Sequence, residues 1–165
     1  MATISYFLKI AGVTGESVDP KHKGEIDVES WSWGESNSGA TNGTLGPGKA
    51  VAQDFHFVTS VGRQSPQLLV ACASGSTYKE AVLTCRKNGP TAFEFLKILM
   101  FNLYVSSYQV GGSGASDNVP LEQVSLHFQK IEMEEFDQNA DGSPVMTFGG
   151  YNFATNQVVP PPATG

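Results

Sequence analysis

Two cysteines, Cys72 and Cys85, are all the thiols in 165 residues. A disulfide-stapled secreted scaffold is therefore excluded, and two buried free thiols from a reducing compartment are the expectation. Charge is also scarce, at 16% of residues, and ten Lys and Arg against sixteen Asp and Glu leave a net charge of −6. A phosphate backbone is a poor partner for such a chain, since its binders cluster Lys and Arg, so no nucleic acid is expected. No apolar run reaches the roughly 18 residues of a membrane span, so no membrane insertion is expected either. The N-terminus, MATISYFLKIAG, lacks a basic region followed by an apolar core and does not read as a secretory signal. The three histidines, His22, His56 and His127, show no metal-ligand spacing, and no cofactor or metal site is read.

What is present is alternation. Hydrophobic residues make up 40% of the chain and glycine contributes 18 residues, which suits one domain of strands and turns with a proper core. Ile4, Tyr6, Leu8 and Ile10 alternate with polar residues and predict a first strand. A polar loop over 12–24 follows. Residues 25–36 predict a second strand whose phase breaks between Val28 and Trp31, as at a bulge or where both faces are covered. Trp31 and Trp33 read as core anchors, which sets Ser32 on the opposite side. Residues 51–61 and 78–87 alternate cleanly. Residues 93–110 are apolar on both parities, a strand that needs cover on both faces, and a neighbouring subunit is one such cover. Val124, Leu126 and Phe128 mark the core side of a further strand, with Ser125, His127 and Gln129 outside and a phase slip before Ile131. A last strand covers 145–153, and the segment from Ala154 onward reads as a disordered tail.

One helix interrupts this pattern, SPQLLVACASG at 65–75. Ser65 is expected to cap it, Pro66 to take the first helical position and Gly75 to stop it. Leu68, Leu69 and Cys72 are expected on its buried face.

Several near-motifs fail on their own chemistry. GTLGPGKA, from Gly43 to Ala50, ends in Ala where a phosphate-binding loop needs a Ser or Thr for magnesium, and a strand follows it instead of a helix. Asp137, Asn139 and Asp141 imitate half a calcium loop, but its twelfth position is Phe148. Asp54, His56 and Ser60 share the outward face of one strand and suggest a hydrolase triad, without any nucleophile elbow beside them. By its length the long Gly- and Asn-rich loop over 37–49 reads as either functional or disordered.

The chain also resembles a known family. Gly15, Glu16 and Ser17 with His22, EIDVESWSWG at 25–34, VAQDFHF at 51–57, SPQLLVACASG, and AVLTCRKNG at 81–89 match in order. EFLKI at 94–98, VSSY at 105–108, GGSG at 111–114 and PLEQVSLHFQKIE at 120–132 complete the series. Together they resemble the Hcp family, the haemolysin co-regulated proteins that form the inner tube of type VI secretion systems. The likeness extends to about Gln138; Met100 and Phe101 are more apolar than the family pattern, and 144–165 match only loosely. The resemblance implies a mainly β fold, a two-sheet β-barrel with one short α-helix, shared with phage tail tubes. It implies a single tube domain over 1–154 with a flexible tail over 155–165. It implies a non-enzymatic homohexamer whose rings stack, partnered by the sheath and spike of the machine and carrying small effectors in the lumen. Such a protein is cytoplasmic before firing and leaves without a signal peptide. Ser32 is the candidate lumen residue. Ser38, Gly39, Thr41, Asn42, Gly43, Leu45 and Gly46 are the candidate ring-stacking loop. A stand-alone ligand-binding barrel and a small hydrolase are the alternatives.

Overall fold

The computed structural model describes residues 3–37, 39, 46, 48–115 and 117–163. The elements run β1 (Ile4–Ile10), β2 (Ile26–Val28), β3 (Ser30–Ser32), β4 (Glu35–Asn37), β5 (Ala50–Ala52) and β6 (Phe55–Ser60). Then come α1 (Gln64–Ser74), β7 (Thr77–Lys87), β8 (Phe93–Gly111), β9 (Leu121–Gln138), β10 (Pro144–Asn152) and β11 (Gln157–Val158).

All the pairings are antiparallel, and the main ladder runs β11–β10–β9–β8–β7–β1–β2. β9 changes partner along its length, with Leu121–Leu126 against β6 and Lys130–Gln138 against β10. β6 carries β3 on its other side, and β4 and β5 form a separate pair. The expected closed two-sheet barrel is corrected here. β2, at one end of the ladder, and β3, at the end of the branch through β6, follow one another through Glu29 and do not pair with each other. The backbone changes partner at that point: Glu29 N–H donates to Val58 O at 2.8 Å, and Thr59 Oγ1 donates to Asp27 O at 2.7 Å. This is the phase break between Val28 and Trp31.

β8 is 19 residues long, and its buried parity changes midway. Ile98 and Met100 are buried on one parity, Leu103 and Val105 on the other. Asn102 lies between them in the left-handed region, at φ 53°, a conformation that asparagine tolerates better than most residues. β9 makes the matching change between Phe128 and Ile131. One core cluster results, built on Leu8, Phe55, Phe57, Leu83, Met100 and Leu126 among others.

The helix differs from expectation at its start. It begins at Gln64 with Arg63 as N-cap and no side-chain cap; the Ser65 hydroxyl instead accepts from Gly62 N–H at 2.9 Å. Pro66 therefore falls at the third helical position. Gly75 ends the helix in the left-handed conformation, φ 69°, with its N–H on Ala71 O. The buried stripe is Gln64, Leu68 and Ala71, whereas Leu69 is 53% exposed and Cys72 half-buried. One residue on a helix is about 100° of rotation, enough to carry Leu69 from the core to the surface.

A strap over residues 12–24 crosses from β1 to β2 and is tied at both ends. Thr14 and Gln67 exchange two hydrogen bonds, at 3.1 and 2.9 Å, and a Glu16 carboxylate oxygen accepts from Arg63 N–H at 3.0 Å. At the other end Arg86 grips both carboxylate oxygens of Asp19, at 3.0 and 2.6 Å. Within the stretch read as a tail, β11 lies against Tyr151 and Asn152 of β10, and Val159 N–H donates to Gly150 O at 3.0 Å.

Candidate functional site

Strand register assembles a polar face from residues far apart in sequence. Ser32 of β3 pairs His56 of β6, His56 pairs Ser125 of β9, and Ser125 pairs Ser107 of β8. The next row is Thr77, Tyr104 and His127, across β7, β8 and β9. Asp54, immediately before β6, extends that row by a 2.8 Å contact from its Oδ1 to His127 Nδ1. One step further along the same strands lie Lys79, Asn102 and Gln129. The opposite side of these strands is apolar: Phe55, Phe57, Leu103, Val105, Val124 and Leu126 are buried there. A residue-by-residue alternation on β6 and on the first half of β9 is what separates the two sides.

The polar groups on this face are tethered to one another. Asp54 accepts from the Ser106 hydroxyl at 2.6 Å as well as contacting His127. An ionised carboxylate only accepts, so His127 Nδ1 carries the hydrogen in that contact. His56 Nδ1 lies 3.1 Å from Ser125 Oγ, and the Tyr104 and His127 rings are 5.3 Å apart. Trp31 stacks on Phe55 at 5.9 Å on the core side, and Trp33 packs on Phe128 while its indole N–H donates to Gln53 O at 2.8 Å. Ser32 is accordingly exposed on the polar side.

Two further polar clusters have a different setting. Glu122 is fully buried, accepting from Gln64 Nε2 at 2.9 Å and from the Tyr108 hydroxyl at 2.7 Å, so it ties α1 to β8 and β9. Burial, followed by that carboxylate, pushes the Tyr108 hydroxyl up to about 12. His22 is buried with Nδ1 at 2.8 Å from Glu25 and Nε2 at 2.7 Å from Glu94, its ring stacked on Phe7 at 4.3 Å. Both clusters are inside the fold and hold its parts together. Cys85 is a buried free thiol pushed up to about 12 by burial, which removes it as a nucleophile; Cys72 is also free.

The hydrolase alternative finds no constellation. Asp54 is engaged by His127 and Ser106, His56 by Ser125, and Ser60 by Glu29 at 2.8 Å. Asn139, Asp141 and Gly142 form a hairpin turn closed by Ser143. Among the described residues no group of three or more His, Cys, Asp or Glu is placed to hold a metal ion, and no helix is long and apolar enough to cross a membrane. Of the candidate stacking residues, Gly39 and Gly46 lie between β4 and β5; Ser38, Thr41, Asn42, Gly43 and Leu45 lie outside the described residues. Alternation placed His127 outside, but its partner Asp54, 73 positions away, depends on register that the sequence does not show.

Fold and face together define a β-sheet protein with a wide polar surface and no catalytic centre among the described residues. Comparison with known proteins specifies it. A family model described as type VI secretion system effector, Hcp, matches residues 7–134. Protein hcp1 of Pseudomonas aeruginosa is 41% identical over 143 residues, covering 85% of this chain and 88% of that protein. The crystal structure of Hcp1 from Salmonella typhimurium is 32% identical, covers 96% of this chain and 100% of its own, and superposes with a TM-score of 0.77. A structure described as a type six secretion system protein superposes at 0.87 with 25% identity, over 95% of this chain and 100% of its own. The chain belongs to the Hcp family of type VI secretion tube proteins, a structural and not an enzymatic family, secreted through that system. Members of the family form hexameric tubes.

Proposed function

We propose that this chain forms hexameric rings that stack into the inner tube of a type VI secretion machine, with the polar face around Ser32 as the wall of the channel. The observation that carries the reading is that face itself. It is broad, hydroxyl- and amide-rich, and backed by a core that the same strands bury on their other side. A channel wall must hold cargo weakly and release it, which suits a neutral polar surface without a deep apolar pocket. The apolar residues on other surfaces, such as Ile4, Val51 and Leu69, are available to bury between subunits. The sheath, the spike and small effectors are the partners this role requires, and the segment between β4 and β5 is the element assigned to ring stacking.

Ser32 tests the wall. It is exposed and fills no core space, so Ser32→Gln and Ser32→Glu should fold and form rings as the wild type does. Retention of a co-expressed small effector on purified rings should fall, more for Glu, because a ring repeats the change in every subunit. Unchanged retention in both variants, with intact rings, would remove Ser32 from the wall. Deleting residues 39–48 should abolish stacking and spare hexamers; unchanged stacking would remove the loop's assignment.

A further inference from the structure

Most of the polar groups on the face have partners. In one part of it, among the described residues, His127 alone is hydrogen-bonded through its side chain. Thr77, Lys79, Asn102, Tyr104, His127 and Gln129 line an open cavity of about 720 Å³. Its floor is two successive cross-strand rows on β7, β8 and β9, fixed by the pairs Thr77 with Tyr104 and Tyr104 with His127. Lys79 and Gln129 are exposed, and Asn102 is exposed with its backbone in the left-handed region, φ 53°. A non-glycine residue in that region within a strand is the kind of outlier that points to a local role.

The only ammonium in the lining is that of Lys79, and its amides and hydroxyls can donate as well as accept. Lys79 brings an ammonium, Asn102 and Gln129 bring amide N–H groups, and Thr77 and Tyr104 bring hydroxyls. His127 brings Nε2, because Nδ1 is committed to Asp54. Asp54, held by Ser106 as well, stands behind the imidazole and orients it, as a carboxylate does for a ligand-binding histidine. Among the described residues no carboxylate lines the cavity, in a chain whose net charge is −6.

We infer that this cavity is a subsite for a carboxylate carried by a polypeptide, the acidic side chain of a cargo segment. Lys79 supplies the charge, and the Asn102 and Gln129 amides complete the set of donors. As a cargo subsite it rests on the proposal that this face lines the channel.

The test uses the purified full chain and two fluorescein-labelled peptides of equal length, one with four glutamates and one with glutamines in their place. Fluorescence anisotropy should show binding of the glutamate peptide and not of the glutamine peptide. Lys79→Gln should weaken it by about tenfold, the scale of one charge-assisted hydrogen bond. Lys9→Gln, which deletes an exposed charge on β1, should leave affinity unchanged. Equal binding of both peptides, or insensitivity to Lys79→Gln, would overturn the proposal. Electron cryomicroscopy of the same preparation separates it from the channel reading. Carboxylate binding on an outward face would remove the channel and keep the site; an inward face without binding would do the reverse.

Discussion

Gly15 sits where the strap passes closest to β2, and Gly15→Ala is a severe perturbation of a small kind. A methyl group built there meets Glu25 O at 2.4 Å, Glu25 C at 2.7 Å and Ile26 Cα at 2.9 Å. All three are backbone atoms, so no side chain can swing aside. Reaching ordinary contact near 3.4 Å requires a shift of about 1 Å in the strap or in β2. Three backbone hydrogen bonds tie residues 15–17 to residues 24–25, just ahead of β2: Gly15 N–H to Gly24 O at 2.7 Å, Ser17 N–H to Glu25 O at 2.9 Å and Gly24 N–H to Ser17 O at 2.9 Å. Each is worth roughly 1 kcal/mol net, and overpacking alone costs about 1–3 kcal/mol. The predicted destabilisation is therefore about 2–4 kcal/mol. Urea unfolding at fixed protein concentration reads it, since assembly makes apparent stability concentration-dependent. Hydrogen exchange should show the loss of protection concentrated in residues 14–25. Gly114→Ala is the control, because a methyl group there has nothing within 4 Å, and it should change stability by less than about 0.5 kcal/mol. A Gly15→Ala protein as stable as the control would refute the close-approach argument.

Two other outcomes follow from single contacts. Leu68→Ala empties a fully buried site under α1 and should cost about 2–5 kcal/mol, with exchange rising in α1 before the sheet; a loss below about 1 kcal/mol would mean that Leu68 does not anchor the helix. The Arg86 guanidinium, hydrogen-bonded to Asp19, holds that carboxyl down at about 2, against an ordinary value near 3.8. A depressed folded value means that the stabilisation is complete above the ordinary value and is lost as pH falls from near 4 through about 2. Asp19→Asn should flatten that part of the acid-unfolding curve and leave its shape above pH 5 unchanged; an unaltered acid limb would contradict the assignment.

How far the sequence carried this reading depended on whether a residue's neighbours were local. β6 was legible because Phe55 and Phe57 alternate with His56 and Val58 along six residues, and period two is enough. The break at Glu29 was legible as a change of phase, though not as the point where the chain exchanges β1 for β6 as its partner. β8 was visible as a strand but not as one that changes its buried side, because that change hangs on the single backbone angle of Asn102. The helix was legible and its exact frame was not: a start at Gln64 rotates Leu69 out of the core. Ser32 was placed opposite the tryptophans by alternation alone. The rest of its face, His56, Ser125, Asp54 and His127, comes together through pairing between distant strands, which no local pattern encodes. Barrel closure failed for the same reason, since it is a property of how the last strands meet.

The measurement that bears most directly on the account is an electron cryomicroscopy reconstruction of the purified protein. The account predicts rings of six subunits whose channel is lined by the rows containing Ser32, His56, Ser125, Asp54 and His127, with the cavity around Lys79 and Tyr104 opening into it. A protein that stays monomeric at every concentration, or a ring that turns this face outward, would contradict it.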